Sequence, residues 1–448
     1  MDKREFLKAS GAMAASTIIP PFMCGQEPTE PRENWAGNLN YSTDQLHTPA
    51  TIDEVQQVVT RCAKLRALGT RHSFSTIADS TQNQVSLTKL DSIDIDDKAH
   101  TATVGAGVKY GQLAPVIDKR GYALHNLASL PHISVAGAIA TATHGSGLHN
   151  GNLATAVSAL EIITADGRLQ SLTRENDPHF DATVVNLGAA GIVTRVTLAL
   201  QPTFQVAQSV YRSLSFDHLK DHFDDIFGAG YSVSLFTDWQ SHRATQVWIK
   251  RKLAQNDPNK WEPEFYAATL AKEKLHPIDD HPAESCTEQQ GIPGPWYERL
   301  PHFRMNFTPS SGRELQTEYF VPRKRGYEAI LAVESLRDKI TPHLFVTELR
   351  TIAADNLWMS MAYQRDSLAI HFTWKPESDA VRELLPQIEA KLEPFGARPH
   401  WGKLFAIAPA KLQQQYPRLA DFKAYLKQQD PKGKFRNEYL ESNLYSTS

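Results

Sequence analysis

Cysteine is scarce in this chain. Three residues in 448, Cys24, Cys62 and Cys286, are too few and too scattered for a disulfide framework or a zinc site. Charge of one sign is missing as well. Lys and Arg number 47 against 50 Asp and Glu, for a formal net charge of -3. No basic stripe stands out, which argues against a nucleic-acid partner. Neither a G-x-S-x-G nucleophile elbow nor an H-E-x-x-H helix occurs. His132, His144 and His149 lie near one another in sequence but no Cys or carboxylate cluster joins them, so no metal is expected. Long apolar runs are absent too. The one candidate, Ala9 to Ile19, is too short to span a membrane, and no stable membrane insertion is expected.

That stretch has a different reading. The charged start Lys3-Arg4-Glu-Phe-Leu-Lys8 precedes it and Pro20-Pro21 follows, so residues 1–25 read as a signal peptide. The Lys-Arg pair resembles a twin-arginine export signal with Lys in place of the first Arg. Such signals carry folded, cofactor-loaded proteins, and a periplasmic location is the expectation. The alternative is an uncleaved tail on a cytoplasmic enzyme. Cys24 is a poor lipidation site, because Phe22-Met23 replaces the small residues expected before it.

The length suggests two to three domains. Thr51 to Leu65 predicts a helix, with Thr51 as N-cap and Val55, Val58, Val59 and Cys62 on one face. Leu65 to Leu68, Val85 to Leu90, Thr101 to Val108, Val157 to Thr164, Arg168 to Leu172 and Gly191 to Leu200 read as strands, and Ala165-Asp-Gly167 is a hairpin signal. Tyr110 to Arg120 reads as a helix. A regular βαβ rhythm is missing, so residues 35–201 are α+β and not a doubly wound sheet. Residues 202–410 form a second unit. Its strands are 232–236, 245–250, 315–321, 346–352 and 367–374, and its helices 325–340 and 379–392. The Pro-rich stretch 258–309 is expected to be largely irregular. Residues 411–448 make a C-terminal segment.

Val104-Gly-Ala-Gly-Val-Lys-Tyr-Gly111 nearly matches a dinucleotide fingerprint. Its spacing is one residue too long and no acidic residue sits at the ribose position, so a turn at a strand end is the better reading. Two other runs carry more. Arg66-Ala-Leu-Gly-Thr-Arg-His-Ser-Phe74 presents a histidine after a Gly turn. Ser129-Leu-Pro-His-Ile-Ser-Val-Ala-Gly137 and Thr143-His-Gly-Ser-Gly147 make a loop of small residues and hydroxyls. A lone histidine in a turn is more often structural. Here Gly69, Gly137, Gly145 and Gly147 remove bulk, while Thr70, Arg71, Ser73, Ser129, Ser134, Thr141, Thr143 and Ser146 supply donors. Many donors with little bulk is what a buried diphosphate requires.

These runs resemble the flavin site of FAD-dependent oxidases of the vanillyl-alcohol oxidase type, and within them the alditol (xylitol) oxidases. The resemblance extends from about Asn34 to Asn437. It implies a two-part FAD-binding domain, the C-terminal segment closing it, around a sheet-and-helix substrate domain. It implies FAD bound covalently through His72 to the flavin 8α-methyl carbon. Cofactor contacts would come from Ala67, Leu68, Gly69, Thr70, Arg71, His72, Ser73, Ser129, Ser134, Gly137, Thr141, Ala142, Thr143, His144, Ile192 and His400. Ala128 would sit at the reactive flavin edge, where a small residue admits oxygen. Family members carry Pro where this chain has His125.

The second unit holds three polar pairs at i, i+2 on predicted strands: Gln316/Glu318, Glu348/Arg350 and His371/Thr373. Residues two apart share a strand face. Three such pairs suggest a polar wall that a polyhydroxylated ligand would satisfy; a solvated face with surface ion pairs is the competing explanation for any one pair. The resemblance assigns Glu348, Arg350 and Lys403 to catalysis, with Ser129, Gln316, His371 and Thr373 around the substrate. Arg350 and Lys403 would stabilise a developing alkoxide. Glu348 would orient them and bind neighbouring hydroxyls, its pKa kept low by the two cations. The implied reaction is oxidation of the terminal C1 hydroxyl of a linear polyol such as xylitol or sorbitol, with O2 reduced to H2O2, by a monomer. Two rivals stay open: an aldonolactone oxidase or dehydrogenase of the same superfamily, and a non-catalytic FAD- or sugar-binding protein.

Overall fold

In a computed structural model, which describes residues 32–446, four sheets and eleven α-helices organise the described residues. The expected signal peptide and Cys24 lie outside the described residues. Among the described residues, no helix is long and apolar enough to cross a membrane.

The helix Ile52–Arg61 is capped by Thr51, whose hydroxyl accepts from the Glu54 N–H, and it buries Val55, Val58 and Val59. It stops short of Leu65 because Cys62 turns extended. The chain then enters the strand Arg66–Leu68, which pairs in parallel with Gln84–Ser86; Leu46–His47 completes a three-stranded sheet. A five-stranded antiparallel sheet follows, ordered Ile93–Asp96, Thr101–Gly105, Ile192–Ala199, Val157–Ile163, Leu169–Thr173. Gly105 and Gly107 are glycines because a Cβ at either would collide with the backbone of residues 87–90. That is close chain packing, which explains the near-fingerprint without a dinucleotide.

The largest sheet has ten strands. At its centre Ser232–Thr237, Leu344–Ile352, Ser367–Trp374 and Leu315–Pro322 run antiparallel in that order. One face packs on the helices Gly326–Glu334 and Ser378–Leu392 through a core that includes Leu349, Ile370, Phe372, Trp374, Ile330 and Ile388. The opposite face carries the predicted polar pairs. The expected helix 325–340 is two helices, Gly326–Glu334 and Arg337–Ile340, broken at Ser335 and Leu336.

Several elements, among them these four, carry no expectation from the sequence pattern. The strand Gln205–Ser215 is buried along most of its length, so it lacks the alternation that marks a half-exposed strand. The helices Asp217–Phe227 and Leu419–Gln429 are the second and third. The fourth, Val135–Ala140, lies within the small-residue run read above as loop.

The C-terminal segment ties back onto the first sheets. Leu65 N–H donates to Lys434 O at 3.0 Å. The Asn437 amide donates to the carbonyls of Thr76, Ile77 and Asp79. Phe435 fills the cluster formed by Val55, Val59, Val85 and Ile192.

Candidate active site

One cavity, with about 1960 Å³ of empty space partly open to solvent, is lined by both small-residue runs and by the polar sheet face. Along its first part run Arg66 to Phe74, Ala128 to Leu130, Ile133, Ser134, Gly137, Thr141, Thr143 and His144. Residues 34 and 35 shape the histidine turn. Trp35 N–H donates to Arg71 O at 2.8 Å, and the Asn34 amide donates to Ser73 O at 3.0 Å. Arg71 takes a left-handed φ of 63°. His72 then stacks on Trp35, centroids 5.4 Å apart. Its Nδ1 lies 3.1 Å from Thr70 Oγ1, while Nε2 is buried with no partner. Burial first, with His132 and Lys403 nearby, lowers its pKa to about 3, so the imidazole is neutral.

The opposite wall is the short helix Val135–Ala140. A Cβ on Gly137 would lie 2.8 Å from Ser134 Oγ, and one on Gly69 3.1 Å from it. Ser134 Oγ is itself buried without a partner. A cradle that only glycines keep open, holding an orphaned hydroxyl and an orphaned imidazole nitrogen, fits FAD.

Arg66 supports this cradle from beneath. Its guanidinium donates to carbonyls of Gly188, Phe435, Leu187 and Ile77. Burial lowers its pKa to about 10, so it stays a cation. Arg66 opens the histidine run, whereas nothing in the sequence pattern marks Trp35 or Asn186 as lining residues.

Two of the expected residues are not in the cavity lining. Ala142 is fully buried at φ 53° and does not line the cavity. The Ile192 side chain packs with Val55 and Val59, whereas Gly191 and Val193 face the cavity. The cause is strand alternation: Ile192 starts a strand and points to the other side. Every other predicted site residue lines the cavity.

The polar wall is a matter of register. Gln316 and Val346 pair with Thr373 from either side, and Glu318 and Glu348 pair with His371. One row further, Ala369 lies between Phe320 and Arg350. The six residues of the three pairs are 1–8% exposed, which excludes a solvated face. Arg350 Nη2 donates to Glu318 Oε1 at 2.6 Å and Nη1 to Ser129 Oγ at 3.2 Å, while its Nε is 3.6 Å from Glu348 Oε2. Burial opposes ionisation of both glutamates. For Glu348 the Arg350 cation and the contact with His302 outweigh it, and for Glu318 the contact with His144 and the Arg350 cation do, so both pKa values fall below the usual range.

Lys403 reaches the same space from a different segment. The backbone of residues 401–402 is pinned to the histidine run, with Phe74 N–H donating to Gly402 O at 2.7 Å and Ser75 Oγ to Trp401 O at 2.9 Å. Lys403 Nζ sits 4.8 Å from the Phe74 ring centroid and donates to Gln316 Oε1. Burial lowers its pKa to about 8 despite Glu318 and Glu314. His371 Nε2 lies 3.2 Å from the same Gln316 oxygen, and burial brings that imidazole to about 3. His400 is held neutral by burial and accepts from Gly402 N–H.

Glu318, Glu314, His302 and Trp35 are among the lining residues beyond the expected set. Glu318 carries a signal in its spacing from Gln316. His302 lies in the irregular Pro-rich stretch and carries none.

The arrangement is therefore a small-residue cleft continuous with a buried wall that holds two cations and three carboxylates. Comparison with known proteins agrees with it. Residues 43–173 match the FAD binding domain family and residues 307–443 the D-arabinono-1,4-lactone oxidase family. The chain is 46% identical to alditol oxidase of Streptomyces sp. over 92% of its length and 98% of that protein. It is 29% identical to L-gulono-1,4-lactone dehydrogenase of Mycobacterium tuberculosis over 91% of its length and 97% of that protein. The crystal structure of cholesterol oxidase from B. sterolicum superposes with a TM-score of 0.76 at 16% identity, covering 92% of this chain and 96% of that one; it shares the fold. This chain belongs to the alditol oxidase family, within the vanillyl-alcohol oxidase type, and is an FAD-dependent oxidoreductase that uses O2.

Proposed function

We propose that the protein oxidises the terminal C1 hydroxyl of linear polyols such as xylitol and sorbitol to the aldose, with release of hydrogen peroxide. The observation that carries this reading is the buried wall of Gln316, Glu318, Glu348, Arg350, His371 and Thr373 beside the glycine cradle. Buried polar groups on this scale need polar partners, and a neutral chain of hydroxyls can satisfy donors and acceptors alike. Bound FAD supplies the hydride acceptor, at N5, and the route to O2.

The residues divide the work by charge. Arg350 and Lys403 stabilise the negative charge on the hydroxyl oxygen as its proton passes to solvent, to which the cavity is partly open. Glu348 accepts hydrogen bonds from adjacent hydroxyls; flanked by His302 and Arg350, it is too weak a base to take the proton. Ser129, Gln316 and Thr373 offer further polar contacts along the ligand. His72, neutral and with a free Nε2, carries FAD covalently. Ala128, buried in the lining, leaves space for oxygen.

Purified protein run on a denaturing gel and viewed under ultraviolet light tests the covalent bond: fluorescence stays with the wild-type band and leaves it in His72→Ala. Xylitol-dependent peroxide release tests the substrate. A fluorescent band that releases peroxide only with aldonolactones would replace the polyol reading with the lactone one. For the monomer and for export through residues 1–25, light scattering and the mass of the mature N-terminus from periplasmic extract are the measurements.

A further inference from the structure

Behind Glu348 stand two buried groups, Lys250 and His302. Lys250 lies in the strand Arg243–Lys252 and is fully enclosed. A buried ammonium survives only when its donors are satisfied. Here Nζ donates to Leu300 O, to Pro301 O at 3.2 Å and to His302 Nδ1 at 3.1 Å. Burial lowers the Lys250 pKa to about 7; in its ammonium form it has three donors and no lone pair, and the Glu348 carboxylate facing the other ring nitrogen can only accept. His302 Nδ1 is therefore an acceptor, and the ring proton is on Nε2. That nitrogen lies 2.8 Å from Glu348 Oε1.

The ring has little freedom to turn. Trp248 and Phe236 meet it edge-on at 5.1 and 5.6 Å. The same segment also grips the cofactor side of the cavity: the backbone N–H groups of His302 and Phe303 donate to Ser129 O at 2.8 and 3.1 Å. Ser129 Oγ accepts from Arg350. Lys250 thus reaches both Glu348 and Ser129 through residues 300–303.

We propose that Lys250 and His302 are positioning residues for the oxidation: Lys250 fixes the His302 tautomer, and His302 holds Glu348 Oε1 so that the carboxylate meets the substrate as a pure acceptor. This rests on the polyol reading above. A neutral imidazole donor is suited to the task because it orients Glu348 without neutralising it as a second arginine would. With Lys250 gone, His302 can shift its proton to Nδ1 and turn a lone pair toward the carboxylate, which repels it.

The test uses the full-length, FAD-loaded enzyme and three variants, His302→Leu, His302→Gln and Lys250→Met. Anaerobic stopped-flow mixing with xylitol follows flavin bleaching. His302→Leu and Lys250→Met are expected to slow bleaching at saturating xylitol about 10- to 100-fold, the size of a misplaced catalytic group. His302→Gln, which can return an N–H donor to Glu348, recovers most of the rate. A merely structural role predicts equal losses in the Leu and Gln variants, and that result overturns the proposal. The second measurement needs no substrate. In ¹⁵N-histidine-labelled protein, the signal missing from His302→Gln identifies His302; it should report Nε2–H in the wild type and change in Lys250→Met. An Nδ1–H signal in the wild type overturns the relay. If wild-type enzyme bleaches with no polyol, the substrate reading fails, and the tautomer measurement still decides for or against the relay.

Discussion

Arg350 is the residue on which most of the site's electrostatics converge. It touches Glu318 and Ser129 and lies close to Glu348. Arg350→Met should lower the rate of flavin reduction by at least about 100-fold, the scale of a lost transition-state donor, as read by anaerobic bleaching. It should also destabilise the fold by about 3–5 kcal/mol, because two carboxylates lose their buried counter-charge; chemical denaturation measures this. Lys403 gives a pH signature. Burial lowers its pKa to about 8, so it is a cation below that pH and a neutral amine above it. If the cation assists alkoxide formation, kcat/KM for xylitol falls as pH rises through about 8. In Lys403→Arg this limb should vanish, since guanidinium stays charged. A limb that persists unchanged would assign it to another group.

At the scale of elements, two features stand out: the short helix beside the cofactor cleft and the outer helix on the large sheet. Gly137→Val would push a branched side chain against Ser134 Oγ, which a bare Cβ already approaches at 2.8 Å. Less FAD should be retained on purification, seen as a lower ratio of flavin to protein absorbance. On the outer helix Ser378–Leu392, half-buried Glu389 accepts from Tyr319 OH and Ala406 N–H. Burial raises its pKa to about 7. The folded state therefore holds this proton more tightly than the unfolded chain does. The resulting stability is fully present below the ordinary carboxylate range and is lost as pH rises through about 7. Glu389→Gln should raise stability at pH 8 by on the order of 1–2 kcal/mol, discounted for solvent exposure, and leave it unchanged at pH 4; denaturation midpoints at the two pH values decide. Much of this scale was readable beforehand. The strand Ser367–Trp374 matches its expected bounds, because β-branched and aromatic residues there sit between clear turn signals. The strand Gln205–Ser215 escaped because burial on both faces erases the period of two.

At the scale of the whole molecule, the chain closes on itself. Residues beyond 411 contribute Leu412, Phe422, Leu426 and Leu440 to the core built mainly from the first 200 residues, and Phe435 to the smaller cluster under the histidine run. Asn437→Ala removes three side-chain bonds to the turn at residues 76–79. It should lower stability by roughly 1–3 kcal/mol and weaken FAD retention together, as measured by thermal unfolding followed through flavin fluorescence. A loss of stability without cofactor release would separate the C-terminal tie from the cradle.

The sequence by itself determined what is local. The histidine turn, the small-residue cradle and the three polar pairs are written in consecutive or alternate residues, because backbone approach and strand alternation act over a few positions. Those patterns sufficed for the family and for the two faces that meet at the cavity. Only the tertiary structure decided which charges meet. Glu318 was visible as half of a pair, but its bond to His144 spans 174 positions. His302 and Lys250 lie 52 apart and have no shared motif. Such pairings depend on sheet register and on loops that cross it, and a buried charge takes whatever partner the packed chain delivers to it. Strand alternation acts the same way at Ile192, whose side chain turns to the core while its neighbours Gly191 and Val193 line the cavity.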